Sequence, residues 1–414
     1  MTLSEELLWR GQIKDKTFAD ISWLDSPRTF YLGADCSADS LTIGNLAVFM
    51  LAKRLNKAGW KTVLLVGGAT SLIGDPGGKE EERQLKSREE IAHNVDSIKQ
   101  QVSHLFAGGE FQLVDNYDWF KDVNFLEFLR DVGKHYSMSE LTGREFIAER
   151  MGEGGSGISY AEFSYTLIQG YDFWHLYKEH GVILQIGGSD QWGNMLSGVP
   201  LIRKKENQEV HALSMPLVID KTTGKKFGKS EEGAIWLDAT KTSPTQFYQF
   251  WINCDDAGVE DYLKIYTDLD EHAIAVVMAE HKANPQGRAG QLRLAQEVTT
   301  LVHGEDSTNL AQAVTEYLTG RNSIQNANDS ALEEIRRNIP AVKTAADGSI
   351  VDALVASGLA SSNTDARRFI TGNAVALNGQ KISRENFETA DFQNGRLLLR
   401  RGKAFKDSVL VEIG

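Results

Sequence analysis

The amino-acid sequence predicts an α/β fold, with a doubly wound parallel sheet in the first half, then an α-helical region and a small α+β region. Short β-rich runs alternate with helical patterns up to about residue 207, which is typical of strands joined by helical crossovers. Residues 243–318 carry a helical pattern with few β-branched runs, and 347–414 contain two short helical patterns and a hairpin signal. A chain of 414 residues also suggests about three domains.

The elements of the first half follow from local patterns. Residues 29–34 are β-rich, and the helical pattern at 44–58 can end at Gly59. The near-continuous apolar run 61–66 is typical of a strand buried on both faces of a parallel sheet. We also predict a helix that begins at Ser87, strands at 111–114, 182–186 and 215–220, and a helix at 163–179.

The second half contains a break, a linker and a turn. Asn284-Pro285 predicts a break in the helical region, and the polar, irregular stretch 322–346 predicts a linker. Asn378-Gly379 is a strong type I′ hairpin signal. The predicted segments are therefore 1–220, 221–242, 243–321, 322–346 and 347–414.

Composition and charge exclude several classes of protein. The chain is 41% apolar and 24% charged, which excludes wholesale disorder, and no apolar run approaches the roughly 20 residues that span a bilayer. The acidic start lacks the pattern of a signal peptide, and Cys36 and Cys254 cannot supply a disulfide framework or a zinc cage. We therefore expect a cytoplasmic protein without a membrane segment. A net charge of −13 argues against a protein that coats nucleic acid indiscriminately.

Glycine and aspartate recur at the carboxyl ends of the predicted strands, where ligands bind in open α/β sheets. Glycine lets the backbone approach a ligand, and helix N-termini present N–H groups to anions. Three such ends together indicate a nucleotide site, although each alone is more often a tight turn. The residues concerned are Gly33, Asp35, Ser37 and 42–45 after the first strand, Gly67, Gly68 and Asp75 after the second, and 187–191 after the strand at 182–186.

Two common phosphate-binding motifs are not matched. Residues 67–74 lack the spacing of a dinucleotide-binding loop, and 224–230 is one residue too short between its glycines for a Walker A loop. A dehydrogenase and a P-loop nucleotidase are therefore disfavoured. The basic stretch 224–230 is also compatible with a solvated surface loop.

The helix predicted at 163–179 carries three polar residues on one face. Tyr165, Gln169 and Asp172 stand at i, i+4 and i+7, and most of the remaining circumference is apolar. A helix this apolar is expected to be buried, so its polar groups need partners. Those partners are either neighbouring side chains and water or a small polar ligand.

Several motifs resemble those of one enzyme family. Thr42-Ile43-Gly44-Asn45 stands where class I aminoacyl-tRNA synthetases carry their HIGH signature, and 226–230 resembles the KMSKS loop in the form that bacterial tyrosyl enzymes use. From about Trp23 to the C-terminus the chain resembles bacterial tyrosyl-tRNA synthetases. The other matching stretches are 66–78, 116–120, 162–172, 184–194 and 243–253, and 347–414 is similar to an S4 RNA-binding domain.

The resemblance implies a domain organisation and an activity. It implies a Rossmann-like catalytic domain with a helical insertion over 1–220, a KMSKS-type loop and connector, an α-helical anticodon-binding domain over 243–321, and an S4-like domain over 347–414. It implies that L-tyrosine reacts with ATP, brought with Mg²⁺, to give tyrosyl-adenylate and pyrophosphate, and that tyrosyl then passes to the terminal adenosine of tRNA(Tyr). It also implies a homodimer that pairs through helices resembling 125–136, and no protein metal site.

By the same resemblance, site residues fall into four groups. Residues expected to act in adenylate formation are Ser37, Thr42, Asn45, Lys226, Lys229 and Ser230, with Lys79 and Arg83 assisting at the phosphates. Those expected to bind tyrosine are Tyr31, Asp75, Tyr165, Gln169, Asp172 and Gln191. Those expected to bind ATP are Gly33, Asp35, Gly44, Gly188, Asp190 and Lys229. Those expected to bind tRNA are Arg367, Arg368, Arg400, Arg401 and Lys403.

The chain departs from the family pattern at three positions. Thr42 replaces the first histidine of HIGH, so we expect slower adenylate formation than with histidine. Leu32 replaces a cysteine that is usual in relatives, and one ribose contact is expected to be absent. Cys36 replaces a proline and is expected to be a small, unreactive filler.

The tail is the least acidic part of the chain. Residues 347–414 hold 9 Lys and Arg against 8 Asp and Glu, and Arg396, Arg400, Arg401, Lys403 and Lys406 lie close together in sequence. Such a cluster is commonly a solvated face, but the S4 resemblance favours phosphate contact.

Two alternatives remain beside a tyrosine enzyme. A tryptophanyl relative is disfavoured by Tyr31 with Asp172, since indole offers no hydroxyl to them. A catalytically impaired RNA-binding paralogue is suggested by Thr42, while the retained Lys226, Lys229, Asp75 and Asp172 argue against it.

Overall fold

The computed structural model describes residues 1–75, 86–143, 145–152, 155–230, 233–402 and 407–414. Within them the chain forms two compact units. The first comprises Met1–Thr242 and Cys254–Leu294, and the second comprises Ser243–Asn253 and Ala295–Gly414. The helical region predicted at 243–321 is thus divided between the two. No helix in the described part of the chain is both long and apolar enough to span a bilayer.

The secondary structure is as follows. The strands are β1 (Thr29–Asp35), β2 (Lys61–Gly67), β3 (Phe111–Asp115), β4 (Leu184–Gly188), β5 (His211–Met215), β6 (Lys229–Ser230), β7 (Gly233–Ala234), β8 (Ala341–Thr344), β9 (Val375–Leu377), β10 (Gln380–Lys381), β11 (Arg396–Arg401) and β12 (Ser408–Ile413). The helices are α1 (Leu3–Trp9), α2 (Ile43–Lys57), α3 (Gly68–Ile73), α4 (Arg88–Leu105), α5 (Tyr117–Phe120), α6 (Phe125–Asp131), α7 (Met138–Thr142), α8 (Glu145–Met151), α9 (Tyr160–His180), α10 (Trp192–Met195), α11 (Gly198–Glu206), α12 (Pro244–Ile252), α13 (Val259–Tyr266), α14 (Glu271–Ala283), α15 (Ala289–His303), α16 (Glu305–Thr319), α17 (Asp329–Asn338), α18 (Ile350–Ala356) and α19 (Asn363–Thr371).

The first unit is built on a parallel sheet with strand order β3-β2-β1-β4-β5. β2 is buried at every position after its first, as its apolar run predicts. The strand order reverses at β1, because β2 and β3 extend the sheet to one side and β4 and β5 to the other. This reversal opens a crevice at the carboxyl ends of β1 and β4. The predicted doubly wound sheet is confirmed.

Most predicted elements of the first unit are confirmed, and one strand is wrong. Ser87 caps α4, accepting a hydrogen bond from the backbone N–H of Glu90 at 3.1 Å, and α14 ends just before Asn284-Pro285. The strand predicted at 215–220 is wrong, because β5 ends at Met215. Pro216 follows it and has no N–H with which to extend the ladder.

The second unit contains a sheet with strand order β10-β9-β11-β12-β8. Its pairs are antiparallel except β12 with β8. The turn between β9 and β10 has Asn378 at φ 47° and Gly379 at φ 84°, as a type I′ turn requires, and the predicted hairpin is confirmed. Apolar side chains are buried on both faces of this sheet, against α18 and α19 on one side and α16 and α17 on the other.

The stretch predicted as a linker, 322–346, contains α17 and β8. Leu332 and Ile335 of α17 are buried in the core of the second unit with Leu398 and Leu410. The polar residues of α17 lie mostly on its opposite, exposed face, which is why the composition alone suggested irregular structure. The prediction of an irregular linker is therefore wrong.

Candidate functional site

A cavity of about 250 Å³ lies at the carboxyl ends of β1 and β4, between the N-terminus of α2 and one face of α9. It is the kind of crevice that the strand order predicts. Most of the predicted site residues line it. They are Tyr31, Gly33, Asp35, Thr42, Gly44, Asn45, Asp75, Tyr165, Gln169, Asp172, Gly188, Asp190, Gln191 and Lys226.

The inner end of the cavity is formed by Tyr31 and Asp172. Asp172 is 2% exposed, and its two carboxylate oxygens accept hydrogen bonds from Trp119 Nε1 at 2.9 Å and from Asn116 Nδ2 at 3.0 Å. Burial raises the pKa of Asp172 to about 7, and the two donated hydrogen bonds oppose this increase. Two donors therefore fix the carboxylate in one orientation before any ligand binds.

The Tyr31 hydroxyl completes this end. It is buried and has no hydrogen-bond partner among the described residues. Burial raises the pKa of Tyr31 well above its usual value, so the phenol stays protonated. A buried hydroxyl without a partner costs free energy unless a ligand supplies one. The inner end thus offers a ready donor and an oriented acceptor to a ligand hydroxyl.

Asp75 lies in a second polar region of the cavity. It is 6% exposed and accepts hydrogen bonds from Gln191 Nε2 at 2.7 Å and Asn194 Nδ2 at 3.3 Å. Tyr165 and Gln169, on the same face of α9 as Asp172, also line the cavity. A carboxylate among amide and phenol oxygens is suited to bind an ammonium group.

The outer end of the cavity is formed by the N-terminus of α2 together with Asp190 and Lys226. Thr42 is the N-cap residue of α2, and its backbone N–H and its hydroxyl both donate to Asn45 Oδ1, at 2.9 and 2.8 Å. Lys226 Nζ lies 3.1 Å from Asp190 Oδ2, and both side chains are about half exposed. Helix N-termini and lysines stabilise anions, so this end is suited to phosphate groups.

Three polar residues of the site were not predicted from the sequence. Asn116 and Trp119 hold Asp172, and Asn194 holds Asp75. Asn116 directly follows β3, so the rule that ligands lie at carboxyl ends of strands would have found it. Trp119 and Asn194 carry no such signal, because their spacing from the carboxylates depends on the tertiary fold.

The remaining predicted residues of the first unit lie elsewhere or outside the described part of the chain. Ser37 is exposed and does not line the cavity. The backbone of Lys229 and Ser230 forms β6, which pairs with β7. Lys79 and Arg83 lie outside the described residues. Cys36 is free and buried, and burial raises its pKa to about 12, which fits an unreactive filler.

The arginines predicted to bind tRNA lie in the second unit. Arg367 pairs with Glu385 on the surface, and Arg368 and Arg401 lie over the same Phe369 ring, 5.4 and 5.1 Å from its centroid. Arg400 contacts a backbone carbonyl at 3.5 Å. The fold therefore brings residues of α19 and β11 together, although they are about thirty positions apart in sequence. Lys403 and Lys406 lie outside the described residues.

Comparison with known proteins identifies the family. Residues 25–319 match the family of class I tRNA synthetases for tryptophan and tyrosine, and residues 331–406 match the C-terminal domain of tyrosine–tRNA ligases. Over 97% of this chain, 43% of residues are identical to a tyrosine–tRNA ligase of Escherichia coli, which is covered to 97%. The corresponding figure for the tyrosine–tRNA ligase of Bacteroides thetaiotaomicron is 41%, over 97% of this chain and 98% of that protein.

Solved structures agree with this result. A C-terminally truncated mitochondrial tyrosyl-tRNA synthetase of Aspergillus nidulans superposes with a TM-score of 0.69 at 30% identity, covering 77% of this chain and 94% of that one. The tyrosyl-tRNA synthetase of Archaeoglobus fulgidus shares the fold, with a TM-score of 0.56 at 15% identity over 74% of this chain and 99% of that one. The chain therefore belongs to the class I tRNA synthetases, among the bacterial tyrosine–tRNA ligases.

Proposed function

We propose that the protein is a tyrosine–tRNA ligase that uses this cavity for both of its steps. In the first step, the carboxylate of L-tyrosine attacks the α-phosphate of ATP. A bond forms between a carboxylate oxygen and the α-phosphorus, the bond to the β-phosphate bridging oxygen breaks, and pyrophosphate leaves. In the second step, the 3′-terminal adenosine of tRNA(Tyr) accepts the tyrosyl group and AMP leaves.

The observation that carries this proposal is the inner end of the cavity. Asp172 and Tyr31 together match one phenolic hydroxyl, which would donate to the carboxylate and accept from Tyr31. Phenylalanine would leave both groups buried and unpaired, and such unpaired groups are costly. An indole would present no hydroxyl there. The inner end therefore favours tyrosine over either competitor.

The other residues of the cavity fit the rest of the reaction. Asp75, Tyr165, Gln169 and Gln191 would hold the ammonium group, which keeps the amino acid oriented with its carboxylate toward the outer end. Asp190 would accept a hydrogen bond from the ribose, and Gly188 leaves room for the Asp190 carboxylate, since a Cβ at Gly188 would lie 2.7 Å from Asp190 Oδ1. The phosphates would lie by the α2 N-terminus and Lys226.

Adenylate formation requires little covalent chemistry from the protein. Positioning of the two substrates and stabilisation of charge on the phosphates supply most of the rate. Lys226 would move from Asp190 to the departing pyrophosphate, and Mg²⁺ would enter with the ATP phosphates. Lys229, Ser230, Lys79 and Arg83 remain proposed participants on the strength of the family resemblance.

We also propose a homodimer. Phe125, Leu126 and Met138 are 62%, 72% and 61% exposed, which is unusual for large apolar side chains close together in sequence. Covering them with a second copy would remove this apolar surface from water.

The cytoplasmic location stays a proposal, which the free, buried cysteines fit. The proposed domain roles, anticodon binding by 243–321 and RNA binding by 347–414, likewise rest on the resemblance.

The arginines of the second unit are proposed to contact tRNA phosphates. Changing Arg400 and Arg401 to alanine should weaken tRNA binding and lower its salt dependence by about one unit of slope per lost phosphate contact, leaving adenylate formation intact. Arg401 also donates to the Leu359 carbonyl at 2.6 Å, so thermal unfolding must be measured as well. The more exposed Arg368→Gln variant provides the same test without that contact. Equal loss of adenylate formation would contradict this division of labour.

One assay tests the proposed function. Exchange of pyrophosphate into ATP is measured with tyrosine, tryptophan or phenylalanine as the only amino acid, and we expect exchange with tyrosine alone. Exchange with tryptophan would identify the tryptophanyl relative. No exchange with any of the three, together with retained tRNA binding, would identify the catalytically impaired RNA-binding paralogue.

A further inference from the structure

The loop that carries Lys226 is anchored by its next residue. Phe227 is 6% exposed, although the Lys226 side chain is about half exposed. The Phe227 ring stacks on Tyr262 of α13, with centroids 4.2 Å apart and planes inclined by 25°. A buried aromatic stack holds the backbone that carries it, because sliding the rings apart loses contact area and exposes apolar surface. The loop is therefore attached to α13 at this point.

Tyr262 itself is held firmly. It is 1% exposed, and its hydroxyl donates to Asp255 Oδ1 at 2.7 Å and lies 3.4 Å from the carbonyl oxygen of Ile219. A Cβ added at Gly258 would lie 2.5 Å from the ring, so the glycine makes room for it. Ile219 belongs to the chain just before the lysine loop. Tyr262 thus contacts the loop segment on both sides, with its ring at Phe227 and its hydroxyl at Ile219.

The backbone at Phe227 and Gly228 lies against the start of α2. The Phe227 N–H donates to the Val218 carbonyl at 2.9 Å, which closes the base of the loop. Gly228 has φ +97°, and a Cβ there would lie 2.7 Å from Ile43 Cγ1. Ile43 directly follows Thr42. The anchored point of the loop therefore touches the segment that carries Thr42 and Asn45.

The far end of α2 is tied to α13 by a buried arginine. Arg54 of α2 donates to the carbonyls of Thr267 and Lys264, at 2.7 and 3.1 Å. Arg10 donates to the Lys264 carbonyl too, at 2.7 Å. Both arginines are 4% exposed. They satisfy carbonyl groups at the C-terminal end of α13, which carries partial negative charge.

α2, α13 and the loop thus form a closed frame. α2 contacts the loop at one end, through Ile43, and α13 at the other, through Arg54. α13 returns to the loop through Tyr262. Because each side of this frame is buried, a change in how Phe227 packs on Tyr262 would shift the loop relative to the N-terminus of α2.

We propose that Tyr262 is a positioning residue for adenylate formation, which holds the backbone of Lys226 and Lys229 at the right distance from the N-terminus of α2. The proposal rests on the proposed function and adds a residue to it. Tyr262 does not line the cavity, so it acts on the site through its contacts with the loop segment, at the Phe227 ring and the Ile219 carbonyl. A displacement of about 1 Å at a charge-stabilising group costs on the order of 100-fold in rate.

The test compares Tyr262→Leu, Tyr262→Phe and Phe227→Leu in pyrophosphate exchange with tyrosine. Tyr262→Leu and Phe227→Leu each remove the stack, one from each side, and should lower kcat on the order of 100-fold. The KM for tyrosine should stay within about twofold, because the inner end of the cavity is untouched. Tyr262→Phe keeps the ring and should restore most of the rate.

Phe18→Leu is the matched control. Phe18 is 5% exposed and stacks on Trp23 with centroids 4.9 Å apart and planes inclined by 22°, away from the cavity. The Phe18→Leu variant should lose stability, as Tyr262→Leu does, but its kcat should stay near that of the parent protein.

Two results would overturn the proposal. One is a kcat for Tyr262→Leu that is no lower than that of Phe18→Leu, and the other is a KM for tyrosine that rises as kcat falls. If Tyr262→Leu does not fold, Phe227→Leu decides by the same criteria. Absence of exchange in the parent protein is a separate result, which would overturn the proposed function and this inference with it.

Discussion

The two ends of the cavity differ in how firmly their charged groups are held before a ligand arrives. At the inner end, Asp172 is buried and oriented by Asn116 and Trp119. At the outer end, Asp190 and Lys226 are about half exposed and pair with each other. The carboxylate of the inner end is thus already oriented by protein donors, whereas at the outer end the proposed contacts with ATP would replace the ion pair. Substitutions at the inner end should change which amino acid is accepted. Substitutions at the outer end should change the rate of adenylate formation with little effect on stability.

The largest expected effect is that of Asp172→Asn. The amide replaces one acceptor oxygen with a donor, so Asn116 or Trp119 would face it unpaired, and the tyrosine hydroxyl would lose a charged acceptor. A charge-assisted hydrogen bond contributes about 1.5–3 kcal/mol, and each tenfold in rate corresponds to about 1.4 kcal/mol. We therefore expect kcat/KM for tyrosine to fall about 100-fold, with the KM for ATP nearly unchanged.

Asp118→Asn is the control for this prediction. Asp118 is a neighbouring carboxylate whose side chain is 71% exposed. Its substitution should leave kcat/KM for tyrosine within about twofold of the parent value, since exposed pairs contribute little. A loss of less than threefold in kcat/KM for tyrosine in Asp172→Asn would show that the inner end does not recognise the tyrosine hydroxyl.

The next largest effect is the pH dependence of tyrosine recognition. Burial raises the pKa of Asp172 to about 7, so the carboxylate takes up a proton as the pH falls through that value. If the ionised form accepts the tyrosine hydroxyl, kcat/KM for tyrosine should fall about tenfold per pH unit below about pH 7. Free tyrosine has no group that titrates between pH 5 and 8, so the profile reports the protein.

Trp119→Phe tests the cause of that profile. Removing the Nε1 donor takes away a hydrogen bond that favours the charged carboxylate, so the pKa of Asp172 rises and the acid limb should move to higher pH. Trp174→Phe is the matched control, because the Trp174 Nε1 donates to Glu206 at 2.7 Å instead. A limb that stays in place or moves to lower pH in Trp119→Phe would assign the titration to another group.

At the outer end, Thr42→His should speed adenylate formation about tenfold. The Thr42 hydroxyl is short and already donates to Asn45 Oδ1. An imidazole reaches further and adds one charge-assisted donor, which is equivalent to about one factor of ten. The rate of a single turnover with saturating ATP measures this step. A variant no faster than the parent would mean that the chain compensates for the missing histidine elsewhere.

The sequence predicted those parts of the site that lie on one element. Tyr165, Gln169 and Asp172 share a face because helical spacing fixes their directions, and all three line the cavity. Trp119 could not be predicted in this way, because it reaches Asp172 across 53 positions and no local pattern encodes that distance. The family resemblance supplied the roles of single residues, but not the groups that hold them.

The elements that the sequence missed are those in which packing overrides local preference. The β5 sequence His-Ala-Leu-Ser-Met lacks β-branched residues, yet it forms a fully buried strand because β4 offers it a parallel edge. α17 was not predicted because its composition is polar. A narrow apolar stripe that includes Leu332 and Ile335 packs it against the core of the second unit. In both cases the partner surface, which lies far away in sequence, determines the structure.

The smallest expected effect is on stability, and it separates exposed from buried ion pairs. Lys226→Ala and Asp190→Asn break a pair that is about half exposed, and such pairs contribute about 0–1 kcal/mol. The midpoint of thermal unfolding should therefore shift by less than about 2 °C in either variant.

Arg150→Met is the comparison, because Arg150 holds the buried Glu162 through two hydrogen bonds of 2.9 and 3.1 Å. Leaving a buried charge unpaired costs about 3–5 kcal/mol, so its midpoint should fall several times further. Equal shifts in all three variants would mean that the outer ion pair is part of the folded framework, and that the outer end is not free to rearrange around ATP.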